Sequence, residues 1–262
     1  MATRRSELSE GPGLWRSASP ASGGATPVAL TGEEKLALAS LATSVQFEKG
    51  AFIYREREKA NFLYVLLEGV VKTYTTPPDG TNRAVAFCFP ADLFGWAEDD
   101  RYDGSAQALT TISAYKVPVP ALDMMLRGNP DLAVDLLGKF RHRLQQQHRH
   151  LLLLGRNDAL GRVAMFIAML EELERDGKGA RPPRLYLPMN RSDIADFVGL
   201  SLEAVSRAFT ALDTQGILTF RSKRHFQVTD RAGLQALIDH VPGGSPKRPV
   251  KRRTPPRLPK TA

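Results

Sequence analysis

Between Asn190 and Gln215 the chain carries two short amphipathic segments hinged on Gly199, and this spacing leaves few folds open to it. Asn190 can cap the first segment, and Asp193, three residues on, can reach back to it in a reciprocal pair that closes a helix N-terminus. Ile194 and Val198 fall on one face, while Ala195 is small enough for a second helix to approach. Ser201 can cap that second helix, whose apolar residues Val205, Phe209 and Leu212 recur at helical steps of four and three. Its opposite face carries Glu203, Ser206, Arg207 and Thr210. The pattern predicts a helix-turn-helix.

In such a motif the second helix enters the DNA major groove. An arginine on its N-terminal half can donate two parallel bonds to guanine O6 and N7, and a nearby glutamate can accept from cytosine N4. Glu203, Ser206 and Arg207 are therefore the candidate base-reading residues. Gly216 is placed to end the helix, and Ile217–Phe220 with Phe226–Thr229 predict a hairpin around the basic tip Arg221-Ser222-Lys223-Arg224-His225. A helix-turn-helix followed by this hairpin is a winged helix. Arg191, Ser201, Arg221, Lys223 and Arg224 are the candidates for phosphate contacts, which position a protein on a duplex without specifying sequence. A plain surface ion pair at i and i+4 would also account for Glu203 and Arg207, but not for caps, turn, packing face and wing together.

Upstream, short β-rich runs separated by turn signals extend from Val45 to Pro120. Strands are expected at Ala51–Tyr54, Phe62–Leu67, Gly69–Thr75, Arg83–Phe89, Ala106–Thr110 and Ile112–Val117, with a turn at Pro77–Gly80 and tight bends at Gly69 and Gly95. That density of strands predicts a small antiparallel roll. A long helix follows, in which Leu137, Phe140, Leu144, Gln147, Leu151 and Leu154 recur at alternating steps of three and four. This is the seam of a two-stranded coiled coil, with Gln147 as the polar position that fixes register. The flanks are dense in Arg, Gln and His, as suits a solvated surface. The expected architecture is thus α+β. It comprises a disordered extension over 1–27, a roll over 28–129 entered by a short helix from Thr31 to Leu41, a dimerisation helix over 130–156, a winged helix over 157–240, and a basic, proline-rich disordered tail over 241–262.

The net charge of +8 is a weak argument for DNA binding, because seven Lys or Arg and no acid lie in Pro242–Ala262, which leaves +1 for the rest. The tail could add sequence-independent affinity by counterion release, or serve only as a solubilising extension. Apolar runs are too short for a membrane span and no secretory signal is visible, so the expected setting is the cytoplasm. Cys88, the one cysteine, lies between Phe87 and Phe89 and reads as a small buried hydrophobe rather than a redox switch. His142, His148 and His150 lie on the long helix at spacings that suit neither haem nor metal, and are expected on a solvated face. No nucleophile, base and carboxylate are grouped, and the roll has no histidine, so the chain is not expected to be an enzyme.

With these residues in place, the chain from about Phe47 to Ile238 resembles the Crp/Fnr family of bacterial transcription regulators. Its most specific segment, Glu203-Ala204-Val205-Ser206-Arg207, is similar to the Glu-x-x-Ser-Arg pattern of the Fnr and FixK branch; Pro90–Gly95 and Ser105–Leu109 are Fnr-like. The resemblance implies a cyclic-nucleotide-binding-like roll, a homodimer on a palindrome close to TTGA-N6-TCAA with Arg207 on the guanine, and contact with RNA polymerase. Two departures bear on cofactors. Four cysteines hold the Fnr iron–sulfur cluster, and Tyr115 stands at the position matching its ligand in the roll. The cyclic-nucleotide phosphate cassette is also missing. Gly95-Trp96-Ala97 replaces its Gly-Glu pair, Gly104-Ser105 lacks the arginine, and Glu98, Asp99, Asp100 and Asp103 would repel a phosphate. What remains resembles the FixK-like branch, whose members can act without a bound cofactor. A ligand- or haem-gated sensor of the same fold is the alternative.

Overall fold

A computed structural model describes residues 40–173 and 184–240. The expected terminal disorder over 1–27 and 241–262, most of the helix from Thr31, and the loop signals at 175–179 and 182–183 lie outside the described residues.

The β-rich half is a roll of two four-stranded antiparallel sheets. β1 (Thr43–Phe47), β8 (Ile112–Pro118), β3 (Phe62–Glu68) and β6 (Leu93–Phe94) form one in that order. β2 (Phe52–Tyr54), β7 (Ser105–Ala108), β4 (Val71–Thr75) and β5 (Arg83–Cys88) form the other. Every strand expected from the sequence is present; β1 and β6 are additions. Gly69 makes the β3–β4 bend with φ of 85°, and a Cβ there would lie 2.5 Å from the Thr111 carbonyl oxygen, so only glycine fits. The inside of the roll is filled by aromatic rings. Tyr54 stacks on Tyr102 at 3.8 Å and neighbours Tyr64 and Phe94, while the Tyr102 hydroxyl donates to the Phe62 carbonyl.

α1 (Val119–Gly128) leads to the long helix α2 (Pro130–Leu154). Asn129 caps α2 by accepting from the Leu132 N–H, and Pro130 occupies the first turn, where its missing N–H costs nothing. Leu132, Leu136, His150 and Leu153 face the protein's own core. The opposite stripe is bare: Leu137 is 67 % exposed, Leu144 71 % and Leu151 67 %. Phe140 and Leu154 are shared with the chain itself. Phe140 lies 4.3 Å from the Trp96 ring, and Leu154 reaches the Gly199 turn.

α3 (Ala159–Leu173), β9 (Leu185–Tyr186), α4 (Arg191–Val198), α5 (Leu202–Thr214), β10 (Leu218–Phe220), β11 (His225–Val228) and α6 (Arg231–Asp239) complete the chain. The three strands form an antiparallel sheet in the order β10-β11-β9. The core of this half includes Val163, Phe166, Ile167, Ile194, Val205 and Leu212, and it is continuous with Val70, Ala84, Phe87, Phe89 and Leu109 of the roll. Roll and helical domain therefore share one apolar core. Phe87 of β5 lies 5.1 Å from Phe197 of α4 and 6.3 Å from Phe166 of α3.

His150 corrects the expectation of a solvated histidine face. At its C-terminal end α2 runs against α4, so His150 is buried, stacks flat on Phe197 at 3.9 Å, and hydrogen-bonds through Nε2 to the Phe197 carbonyl. That bond requires the neutral ring to carry its proton on Nε2. Burial holds the imidazole below its ordinary value near 6.5, and it does the same to the half-buried His142. A histidine that titrates lower when folded adds stability above its unfolded value, and that stability is lost as pH falls through the window beneath it. Thermal unfolding midpoints should therefore drop as pH falls below the ordinary histidine value near 6.5. His150→Gln, which can still donate to the carbonyl, should flatten that slope; an unchanged slope would contradict the assignment.

Candidate nucleic-acid interface

The helix-turn-helix forms as its residues require. The Asp193 N–H donates to Asn190 Oδ1 at 2.8 Å, and Asp193 Oδ2 accepts from the Asn190 N–H at 3.0 Å, completing the capping box. Gly199 ends α4 in the left-handed conformation with φ of 64°. A Cβ there would come within 3.2 Å of Leu154 and Arg162, so the turn needs glycine for both space and backbone angle. The Ala204 N–H donates to Ser201 Oγ at 3.1 Å, capping α5. Val205, Phe209 and Leu212 are buried, whereas Glu203, Ser206, Arg207 and Thr210 are exposed along one face.

The chemistry of that face is compatible with reading a polar edge. Glu203 accepts from its own backbone N–H and from the Ser201 hydroxyl, which hold its carboxyl below the usual range and keep it ionised. Ser206 donates to the Leu202 carbonyl at 2.8 Å, leaving its oxygen lone pairs facing solvent. Arg207 has no carboxylate within ion-pair distance among the described residues, so the simple Glu203–Arg207 surface pair is not formed here. Its guanidinium is free to bind elsewhere.

Of the expected phosphate contacts, Ser201, Arg221 and Lys223 are exposed on the side chain, and the tight turn of the wing is closed by Ser222 and His225. Two arginines depart from expectation. Arg191 lays its guanidinium 3.4 Å over the Phe209 ring and 5.6 Å from Phe220. Burial pulls its pKa down to about 10, and Nη1 is sealed from solvent without a hydrogen-bond partner. It pins α4 to α5 and the wing rather than facing outward. Arg224 turns back to donate to the Pro188 carbonyl at 3.0 Å, because the β9 segment runs beside the wing.

Arg162, which the sequence pattern did not single out, holds the turn in place. Its Nη1 donates to the carbonyls of Val198 and Gly199 at 3.0 and 2.9 Å, and its Nε to the Arg156 carbonyl at 2.8 Å. These are charge-assisted bonds to carbonyls left over at the end of a helix. The only hint in the sequence is a lone arginine in the apolar run Ala159–Leu170. Arg162→Ala should cost about 2–3 kcal/mol in urea unfolding, and Lys should restore only part of it, since one ammonium cannot span three acceptors at those positions. A neutral Ala variant would sink this role.

Elsewhere, Cys88 is wholly buried and burial pushes its thiol up to about 11, in keeping with a structural residue; Arg143 Nη2 lies 3.7 Å from its sulfur. No cluster of three or more His, Cys, Asp or Glu suited to a metal occurs among the described residues. No described helix is long and apolar enough to cross a membrane.

Two family models match the chain: a cyclic nucleotide-binding domain over residues 44–129 and a Crp-like helix-turn-helix domain over 161–237. The roll's residues do not fit a cyclic nucleotide. The aromatic stack occupies its interior, the position expected to hold an arginine for the phosphate is Gly104, and Arg101, present among the carboxylates, is committed to the Arg57 carbonyl. The cleft between roll and long helix, lined by Leu93, Trp96, Phe140 and Arg143, measures about 60 Å³, room for a few waters. Among relatives, the nitrogen fixation regulation protein FixK of Azorhizobium caulinodans is 35% identical over 200 residues, covering 76% of this chain and 81% of its own. The transcriptional activator protein Anr of Pseudomonas aeruginosa is 28% identical, covering 80% and 87%. The solved structure of FixK2 from Bradyrhizobium japonicum superposes with a TM-score of 0.68 at 34% identity, covering 75% of this chain and 96% of that one. With its roll, long helix, capped helix-turn-helix and these relatives, the chain belongs to the Crp/Fnr family of transcription regulators.

Proposed function

We propose that the protein is a homodimeric transcription activator that reads a palindrome close to TTGA-N6-TCAA without a bound effector. The observation that carries this reading is the α5 face, where Glu203, Ser206 and Arg207 stand exposed on a helix capped at its start and buried on its other side. Arg207 donates to guanine O6 and N7, Glu203 accepts from cytosine N4, and Ser206 bonds an adjacent base edge. Ser201, Arg221 and Lys223 grip phosphates on either side. Two chains meet along Leu137, Phe140, Leu144, Gln147, Leu151 and Leu154, which supports one recognition helix per half-site. The activating role and contact with RNA polymerase extend the likeness to relatives named as activators, and this work would be done in the cytoplasm. The filled roll supports effector-free action.

Fluorescence anisotropy with the purified full chain tests the reading. The operator duplex should bind tighter than a scrambled one by about three orders of magnitude or more, with absorbance featureless in the haem region. Equal affinity for both duplexes, or binding only after an effector is added, would contradict it.

A further inference from the structure

The first helix of the reading head is tied directly to the roll. Lys72 of β4 places Nζ 2.5 Å from Asp193 Oδ1, with both side chains only 8% exposed. Asp193 is the residue whose other oxygen closes the capping box of α4. One carboxylate therefore fixes the start of α4 and fastens it to a strand far away in sequence. Lys72 is paired across the sheet with Phe87 on β5 and Gln107 on β7. Phe87 in turn packs on Phe197 near the end of α4, so the hairpin holds the helix at two points along its length. A buried ion pair contributes little net stability compared with apolar residues of the same size, because desolvation offsets the attraction; its best-attested effect is to select one geometry. Apolar contacts alone would let α4 slide, whereas a single bond between buried charges admits one register.

We propose that Lys72 and Asp193 are positioning residues that set the direction of the reading head relative to the roll, and so the separation of the two recognition helices in the dimer. The proposal rests on the dimeric, palindrome-reading function above. Two heads on one duplex face must lie about one helical turn, 34–36 Å, apart. The link from α2 to α3 spans only residues 155–158, but one link fixes a single point. The β4–β5 hairpin supplies the second anchor, which removes rotation about that link.

The full-length chain is tested as wild type, as Lys72→Arg, and as the double variant Lys72→Met with Asp193→Asn. The double variant keeps a capping oxygen at 193 and buries no lone charge. Lys72→Leu with Asp193→Asn, which likewise removes the bond and leaves no lone charge at the pair, replaces it if it is unstable. Affinities are measured for duplexes whose TTGA and TCAA half-sites are separated by five, six or seven base pairs. Wild type and Lys72→Arg should favour six, and the double variant should lose at least about tenfold of that preference while remaining a dimer. A second measurement needs no DNA: spin labels on cysteines introduced at Lys223 report the distance between the two wings. Its distribution should be narrow in wild type and broad in the double variant. An unchanged spacing preference or an unchanged distance distribution in the variant would overturn the proposal. If wild type itself showed no preference among the duplexes, the DNA reading would fail, and the wing distances would still decide the role of the pair.

Discussion

Arg207→Ala should abolish discrimination at the guanine of each half-site while leaving the fold intact. The side chain is exposed and makes no ion pair among the described residues, so its loss uncovers no buried partner. A bidentate arginine–guanine contact is worth about 1–3 kcal/mol of discrimination, and a dimer loses two of them, so operator affinity should fall by roughly 2–6 kcal/mol. Affinity for scrambled DNA should fall far less. Lys223→Ala provides the contrast, because a phosphate contact carries no sequence information. It should weaken all duplexes alike and reduce the slope of log K against log salt by about one per subunit. If Arg207→Ala weakened operator and scrambled duplex by the same factor, Arg207 would be a phosphate contact and not a reader.

Leu144→Asp should separate the subunits. Leu144 is the most exposed of the seam leucines, so nothing in its own chain holds it and the fold should tolerate the change. In a paired seam, the two carboxylates would face each other across the two-fold axis in an apolar strip. An uncompensated buried charge costs on the order of 3–5 kcal/mol, and the buried leucines on either side contribute about 1.5–3 kcal/mol each. Sedimentation should shift from dimer to monomer at micromolar concentration, with helical content unchanged. Operator affinity should fall toward that of a single half-site. A variant that stayed dimeric would place the subunit interface elsewhere, with exposed Met124, Val134 and Leu152 the next residues to probe.

The parts legible in the sequence are those governed by local rules. Asn190, Gly199 and Ser201 declare the helix ends because caps and a left-handed turn admit few residue types. Within the Leu137–Leu154 repeat, Leu137, Leu144 and Leu151 stand on the surface because nothing in their own chain covers them. The parts that were missed depend on what arrives from elsewhere in the chain. Arg191 reads as an outward cation until Phe209 and Phe220 come beneath it. His150 follows the polar run Gln147-His148-Arg149 in sequence, yet the end of α2 meets α4 and buries it. Lys72 is a lone charge in a strand and reads as a solvent-facing position, but the reading head covers that face of β4. Strand β6 has only two residues, too few to show a period, and β1 carries polar residues that conceal its pairing with β8.

In the proposed assembly two chains, joined by the bare seam, read one palindrome through Arg207 and its neighbours with the roll empty of effector. Native mass spectrometry of the purified full chain with an excess of the TTGA-N6-TCAA duplex tests it most directly. The expected result is a complex of two chains and one duplex, with no additional mass, that disappears when both half-sites are scrambled. One chain per duplex, or an equal yield of complex on the scrambled duplex, would contradict it.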